Sequence, residues 1–173
     1  MKLKGKVAVV TGSGRGIGRA IALAYAKEGA KLVLVARTAS QLDQVSKEIQ
    51  AMKCEVLTVV ADLAKKADIE NAVAKTIDRF GPPDILVNNT SIQSRSLTVD
   101  SDDDAWQHVI QINLVGTFLI TKYFLKTMMP RQSGRIINVL SVNAKVGHPI
   151  GSAYAAAKHG GLGLTRSWAL EMG

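Results

Sequence analysis

The stretch Val7-Ala8-Val9-Val10-Thr11-Gly12-Ser13-Gly14-Arg15-Gly16-Ile17-Gly18 decides how the rest of the chain is read. Its short apolar, β-branched start suits a strand buried on both faces. Glycines then alternate at 14, 16 and 18, and a segment with helical spacing follows. A strand, a glycine turn and a helix in that order make a cradle for a pyrophosphate. Glycine permits the tight turn and close backbone approach, while the helix N-terminus offers free N–H groups and the positive end of its dipole. Gly12, Ser13, Arg15, Gly16, Ile17 and Gly18 are therefore candidate cofactor contacts.

Outward from this turn the pattern repeats. Apolar runs at Lys6–Thr11, Lys31–Ala36, Glu55–Ala61, Asp84–Asn88 and Arg135–Leu140 alternate with helical-period segments at Gly16–Glu28, Ser40–Lys53, Lys66–Phe80, Asp103–Met129 and Ser152–Met172. Gly29 and Gly81 stand where helix ends favour positive φ. Such alternation predicts an α/β fold with a doubly wound parallel sheet, Rossmann-like, in strand order 3-2-1-4-5. Residues 1–173 read as one NAD(P)-binding domain, without repeat or linker.

The end of the second predicted strand bears on which dinucleotide fits. A carboxylate there would hold the ribose hydroxyls of NAD. This chain has Ala36 followed by Arg37. A guanidinium at that point can meet a 2′-phosphate in bidentate fashion, and Arg15 in the glycine turn is a second candidate. The pair points to NADP(H) over NAD(H).

The last third carries the chemistry. Tyr154 and Lys158, in the segment YAAAK, are four apart and share a helix face. Ser141 follows the fifth predicted strand, and Asn113 lies in QINLVG on the preceding helix. With TGxxxGxG ahead of them, these residues resemble the catalytic tetrad of the short-chain dehydrogenase/reductase family in its compact form, and TGxxRGIG with YAAAK resembles its 3-oxoacyl thioester reductases. The likeness runs over essentially the whole chain.

The resemblance implies an NADP(H)-dependent oxidoreductase acting on a carbonyl or secondary alcohol. A tyrosine hydroxyl ordinarily holds its proton too tightly for easy exchange at neutral pH. An ammonium about 5 Å away favours the phenolate by roughly 3 kcal/mol at an effective dielectric near 20. Tyr154 is thus the expected acid/base and Lys158 its electrostatic partner, and the Ser141 hydroxyl polarises the substrate oxygen. By resemblance, Lys158 also bonds the nicotinamide ribose, Asn113 holds a relay water near Lys158, Asp62-Leu63 contact adenine and Asn89 flanks the cofactor. For Asp62, helix capping is a compatible alternative. A homo-oligomer, a dimer or tetramer, is implied by the small residues Ala153, Ala157, Gly160, Gly161 and Gly163 on the last helix, which resembles the family's subunit-packing helix.

Two departures stand out. The family's NNAG after the fourth strand reads Asn88-Asn89-Thr90-Ser91 here, which puts a side chain near the cofactor. The family also continues with two more strands, a substrate loop and a helix that do not follow Gly173. The fifth strand is then expected to be an exposed apolar edge. A non-catalytic dinucleotide-binding fragment is accordingly the alternative to an enzyme.

Composition narrows the rest. Hydrophobic residues make up 47% of the 173, against disorder. The net charge is +8, but Lys and Arg are scattered without interleaved aromatics, so nucleic acid is not expected. The start of the chain lacks a signal-peptide pattern, and no uninterrupted apolar stretch approaches a membrane span. The expectation is a cytoplasmic protein. Asp102-Asp103-Asp104 reads as a helix start rather than a metal site, and the lone Cys54 as a partly buried thiol.

Overall fold

The computed structural model describes residues 1–173. Five parallel strands form one sheet: β1 (Val7–Thr11), β2 (Lys31–Ala36), β3 (Val56–Val60), β4 (Ile85–Asn88) and β5 (Arg135–Asn138), in the order β3-β2-β1-β4-β5. Helices α1 (Gly16–Lys27), α2 (Ala39–Ala51), α3 (Lys66–Phe80), α4 (Asp103–Ile110), α5 (Thr117–Met128) and α6 (Ser152–Met172) cover it. The predicted α/β architecture and strand order are present.

Alternation along the strands builds two cores. Val7, Val9, Val33, Val35 and Leu86 face Ile69, Ile120, Phe124 and Met128, from α3 and α5. Ala8, Val10, Leu32, Leu34 and Val87 face Ala22, Ala26, Leu42, Val45 and Ile49, from α1 and α2. Full burial of each such Val, Leu or Ile contributes about 1.5–3 kcal/mol, which is why these strands carry no polar alternation.

The strand starts are tied by Asp84. Its carboxylate accepts from the Val7 N–H at 2.9 Å and from Lys6 Nζ at 3.1 Å, with Arg131 3.9 Å away. Gly29 and Gly81 adopt φ of 83° and 77° just past α1 and α3. Cys54 is half-buried, its thiol 3.1 Å from the Ala26 carbonyl.

The long helix expected over residues 103–129 is interrupted. Asp102 caps its start, accepting from the Ala105 N–H at 2.7 Å. Gln111–Gly116 then form a π-helical segment before α5 resumes. Gly116 explains part of the local path: a Cβ there would lie 2.5 Å from the Leu63 carbonyl oxygen. Residues Asp103–Arg131 are long and apolar enough to cross a membrane by length and composition, with mean hydropathy 1.2. Here they pack on the sheet, with Ile112, Ile120 and Phe124 at most 1% exposed.

β5 stops at Asn138, two residues short of the expected Leu140, because Ser141 caps a 3-10 turn over Val142–Ala144. β5 is the sheet edge, with Arg135 and Ile137 exposed. Beside it a groove of about 830 Å³ runs past Met128, Ile136, Trp168 and Met172.

Candidate active site

The strand order reverses direction between β1 and β4, so the loops leaving their carboxyl ends diverge and open a crevice. Thr11 staples these two ends together. Its hydroxyl donates to the Val87 carbonyl at 3.3 Å and accepts from the N–H groups of Asn89 at 2.9 Å and Thr90 at 3.1 Å. Asn89 returns the tie, its Nδ2 donating to Thr11 O at 3.0 Å and Gly12 O at 3.3 Å. The asparagine thus holds the glycine turn in shape. The sequence signals this role of Thr11 only by a hydroxyl at the last position of an otherwise apolar strand.

Two of the glycines have no substitute. Gly12 has φ 64°, and a Cβ there would stand 2.9 Å from Asn89 Nδ2. A Cβ on Gly18 would run into the Gly12 carbonyl, so α1 can approach the turn only without one. At Gly16, with φ 55°, the side that a Cβ would take is open. No side chain caps α1 and no acidic residue sits in its first turn, so its N–H groups are left for an anion. Ile17 is 64% exposed at the same mouth. Ser13 is fully buried, with its hydroxyl 3.5 Å from the Val35 carbonyl, so its side chain shapes the turn from inside.

The turn abuts the end of β2. A Cβ on Gly14 would lie 3.7 Å from that of Ala36. Arg15 and Arg37, each next in sequence, therefore rise at one corner, both exposed and without a carboxylate partner. Neighbouring β3 continues into Ala61, whose N–H donates to Ala36 O at 3.0 Å. Asp62 and Leu63 follow at this corner. Asp62 accepts from the Ala64 N–H at 3.0 Å, closing a turn, while its own N–H donates to Asp68 at 2.9 Å. The N-cap of α3 is Lys65, so Asp62 caps the turn before the helix rather than the helix. Leu63 is 3% exposed. Ser91, the departure from NNAG, is exposed and has no positive φ, so the loop carries its side chain without backbone strain.

Of the four predicted catalytic residues, Asn113 and Lys158 line one small space with Asn88 and Leu140, and Tyr154 packs against Lys158. Tyr154 and Lys158 share one face of α6, with Nζ 5.4 Å from the ring centroid. Lys158 is only 6% exposed, and Nζ donates to the Val139 carbonyl at 3.0 Å. Burial pushes its pKa below the usual lysine value. Ser141, half-buried at the turn after β5, accepts from the Asn143 N–H at 3.2 Å, which leaves its hydroxyl hydrogen free to donate. Asn113, in the π-helical segment, spends its amide on Ile92: Nδ2 donates to the carbonyl at 2.8 Å and Oδ1 accepts the N–H at 2.9 Å. Its backbone carbonyl accepts from Thr117 Oγ1 at 3.0 Å.

α6 reaches this position because its small residues fit against neighbours within the chain. A Cβ on Gly160 would meet Leu114 at 2.9 Å, and one on Gly161 would meet Leu140 at 2.9 Å. The small face that suggested subunit packing is thus used internally, apart from Gly163, where a Cβ would meet nothing. The arrangement sets a phenol beside a buried cation on α6, and leaves a glycine turn with an uncapped helix at the end of β1.

The comparisons with known proteins agree with this layout. The family model described as short chain dehydrogenase matches residues 6–173. The 3-oxoacyl-[acyl-carrier-protein] reductase of Synechocystis sp. is 41% identical over 98% of this chain and 69% of its own length. Among solved structures, an actinorhodin polyketide ketoreductase with NADPH superposes with TM-score 0.93 at 37% identity, over 96% of this chain and 65% of that one. An NAD+-bound xylitol dehydrogenase gives TM-score 0.96 at 30% identity, over 99% of this chain and 66% of that one. The chain therefore spans about two thirds of the length of these relatives. From the glycine turn to the Tyr154/Lys158 helix, it belongs to the short-chain dehydrogenase family of oxidoreductases.

Proposed function

We propose that the protein carrying this chain is an NADP(H)-dependent oxidoreductase that interconverts a carbonyl and a secondary alcohol, with a 3-oxoacyl thioester as the leading substrate class. The observations that carry the reading are the Tyr154/Lys158 pair on one face of α6, with Ser141 at the turn after β5, and a glycine turn whose close contacts and uncapped helix suit a pyrophosphate. The thioester follows from the relative at 41% identity, named a 3-oxoacyl-[acyl-carrier-protein] reductase.

When bound, the nicotinamide supplies the hydride in reduction and takes it in oxidation. The chain's residues do the rest. The glycine turn and the N–H groups of α1 hold the pyrophosphate, and Arg15 and Arg37 meet a 2′-phosphate at their shared corner. Asp62 and Leu63 border the adenine side. The Ser141 hydroxyl donates to the substrate oxygen, and Tyr154 delivers the proton to the same atom as it becomes an alcohol. The Lys158 ammonium, with Nζ 5.4 Å from the centre of the Tyr154 ring, is a positive charge placed to offset the negative charge left on the phenol. Asn113 contributes through its backbone, since its side chain is committed to Ile92.

NADPH oxidation followed over a panel of ketones, 3-oxoacyl thioesters and sugars, with NADH in parallel, tests the reading. NADPH-dependent turnover of a 3-oxoacyl thioester supports it, and cofactor binding with no turnover of any carbonyl overturns it in favour of a non-catalytic dinucleotide-binding role.

A further inference from the structure

Gly14 has no conformational reason to be a glycine. Its φ is not positive, unlike those of Gly12 and Gly16. Nor does the TGxxxGxG spacing, met by Gly12, Gly16 and Gly18, require it. What keeps the position bare is a neighbour on α2. A Cβ on Gly14 would stand 2.9 Å from Gln41 Cβ and 3.0 Å from Gln41 Oε1, both closer than the Ala36 Cβ at 3.7 Å. The Gln41 side chain is thus folded back across the glycine turn, at the seam where Gly14 and Ala36 meet.

No hydrogen bond within the protein engages Gln41 Oε1 or Nε2, and the residue is half-buried. Its amide is not sealed off, since Asn88 Oδ1 is the only fully buried side-chain polar atom left unpaired. Oε1 is the amide atom turned to the glycine, so Nε2 is the outer one, with two hydrogens to give. The charges beside it have one sign. Arg15 follows Gly14 and Arg37 follows Ala36, neither with a carboxylate partner. The first turn of α2 holds no acidic residue, and Asp43, next but one along the helix, does not share the Gln41 side. An amide donor among two guanidinium groups suits an anion, whereas a carboxylate in its place would pair with them and repel one.

We propose that Gln41 is a specificity-determining residue for the cofactor, its Nε2 donating to the 2′-phosphate that Arg15 and Arg37 neutralise. This rests on the reading of that corner as the NADP(H) end of the crevice. The two arginines bring charge on exposed, flexible side chains. Gln41 is pinned by its contact with Gly14, and a donor already held in place loses less freedom when the ligand arrives. The glycine at position 14 is then part of the same device, because a side chain there would take the space in which Gln41 lies.

Calorimetric titration with NADPH and with NADH, on the parent and on Gln41→Ala, Gln41→Glu, Gln50→Glu and Arg37→Ala, tests this without turnover. Gln41→Ala is expected to weaken NADPH binding about 10-fold, the loss of one charge-assisted hydrogen bond. Gln41→Glu weakens it further, because the carboxylate repels the phosphate and pairs with the arginines. Both leave NADH within about twofold of the parent, or tighter in the Glu variant, whose carboxylate can accept from the ribose hydroxyls. Gln50→Glu puts the same charge on the opposite face of α2, roughly 13 Å further along it, and leaves both cofactors unmoved. An unmoved NADPH affinity in Gln41→Ala, equal losses for NADPH and NADH, or as large a loss in Gln50→Glu overturns the proposal. If Arg37→Ala meanwhile loses NADPH alone, the corner stands as the 2′-phosphate site and only the role of Gln41 falls. A parent that binds both cofactors alike overturns the reading of the corner, and this assignment with it.

Discussion

The side-chain amide of Asn113 clasps the backbone of Ile92 at both ends, Nδ2 to the carbonyl at 2.8 Å and Oδ1 from the N–H at 2.9 Å. This clasp joins the π-helical segment to the loop leaving β4, so one residue orders the floor of the crevice. Asn113→Ala is expected to cost about 1–3 kcal/mol, the penalty of leaving buried backbone groups unpaired. Urea unfolding measures the loss, and hydrogen exchange at the Ile92 amide locates it. An Ile92 amide as protected as in the parent would show that the clasp does not hold the loop.

Gly18→Ala is expected to abolish dinucleotide binding and lower stability. Its Cβ would enter the space of the Gly12 carbonyl and lie 2.5 Å from Asn89 Nδ2, so α1 must retreat from the turn. Gly163→Ala, where nothing stands within 4 Å, is the control within a helix and is expected to be neutral or slightly stabilising. Calorimetric titration with NADPH and thermal melts of both variants make the comparison.

Arg37→Ala is expected to weaken NADPH binding by about 10–100-fold and leave NADH nearly unchanged, the cost of roughly 1.5–3 kcal/mol for a charge-assisted contact. Arg15→Ala is expected to act in the same direction. Fluorescence titration with both cofactors reads the outcome, and equal losses for NADPH and NADH would remove the 2′-phosphate from this corner.

Acid stability is expected to depend on Asp84. Burial pushes its carboxyl up, but the Val7 N–H, the Lys6 ammonium and the Arg131 guanidinium together hold it below the ordinary aspartate value. A depressed folded pKa adds stability that is present above the unfolded value, near 3.9, and is lost as pH falls through the folded value. Asp84→Asn should therefore lower stability at neutral pH by about 1–3 kcal/mol and flatten the acid limb below pH ~4. Denaturation curves between pH 2 and pH 7, on the scale where that limb lies, are the check.

Much of this was legible in the sequence, for identifiable reasons. The strands are buried on both faces, so Val7–Val10 and Leu32–Val35 read as uninterrupted apolar runs, and helix ends fell at Gly29 and Gly81, where φ is positive. The residues of the crevice were legible because their types are dictated by chemistry. Others were hidden. The π-helical segment over Gln111–Gly116 has no periodicity signal of its own, since apolar spacing runs through it into α5. The burial of Ser13 depended on Val35, twenty-two residues away. The hydrogen bonds that run from Asn88 Nδ2 to Asn138, from Asn138 to Thr165 and from Thr165 to the Gly161 carbonyl join β4, β5 and α6, and no local pattern announces them. Small residues on α6 could be read as small, but not as packing against Leu114 and Leu140 within the same chain.

Tyr154→Phe tests the central claim most directly, with NADPH affinity and the rate of NADPH oxidation against a 3-oxoacyl thioester measured on the same preparation. The variant keeps the ring beside Lys158 and removes only the proton donor. The account predicts an affinity within about twofold of the parent and a rate at least ~100-fold lower, the usual contribution of a positioned acid. A variant that still turns over at more than a few per cent of the parental rate would contradict the assignment of Tyr154 as the acid.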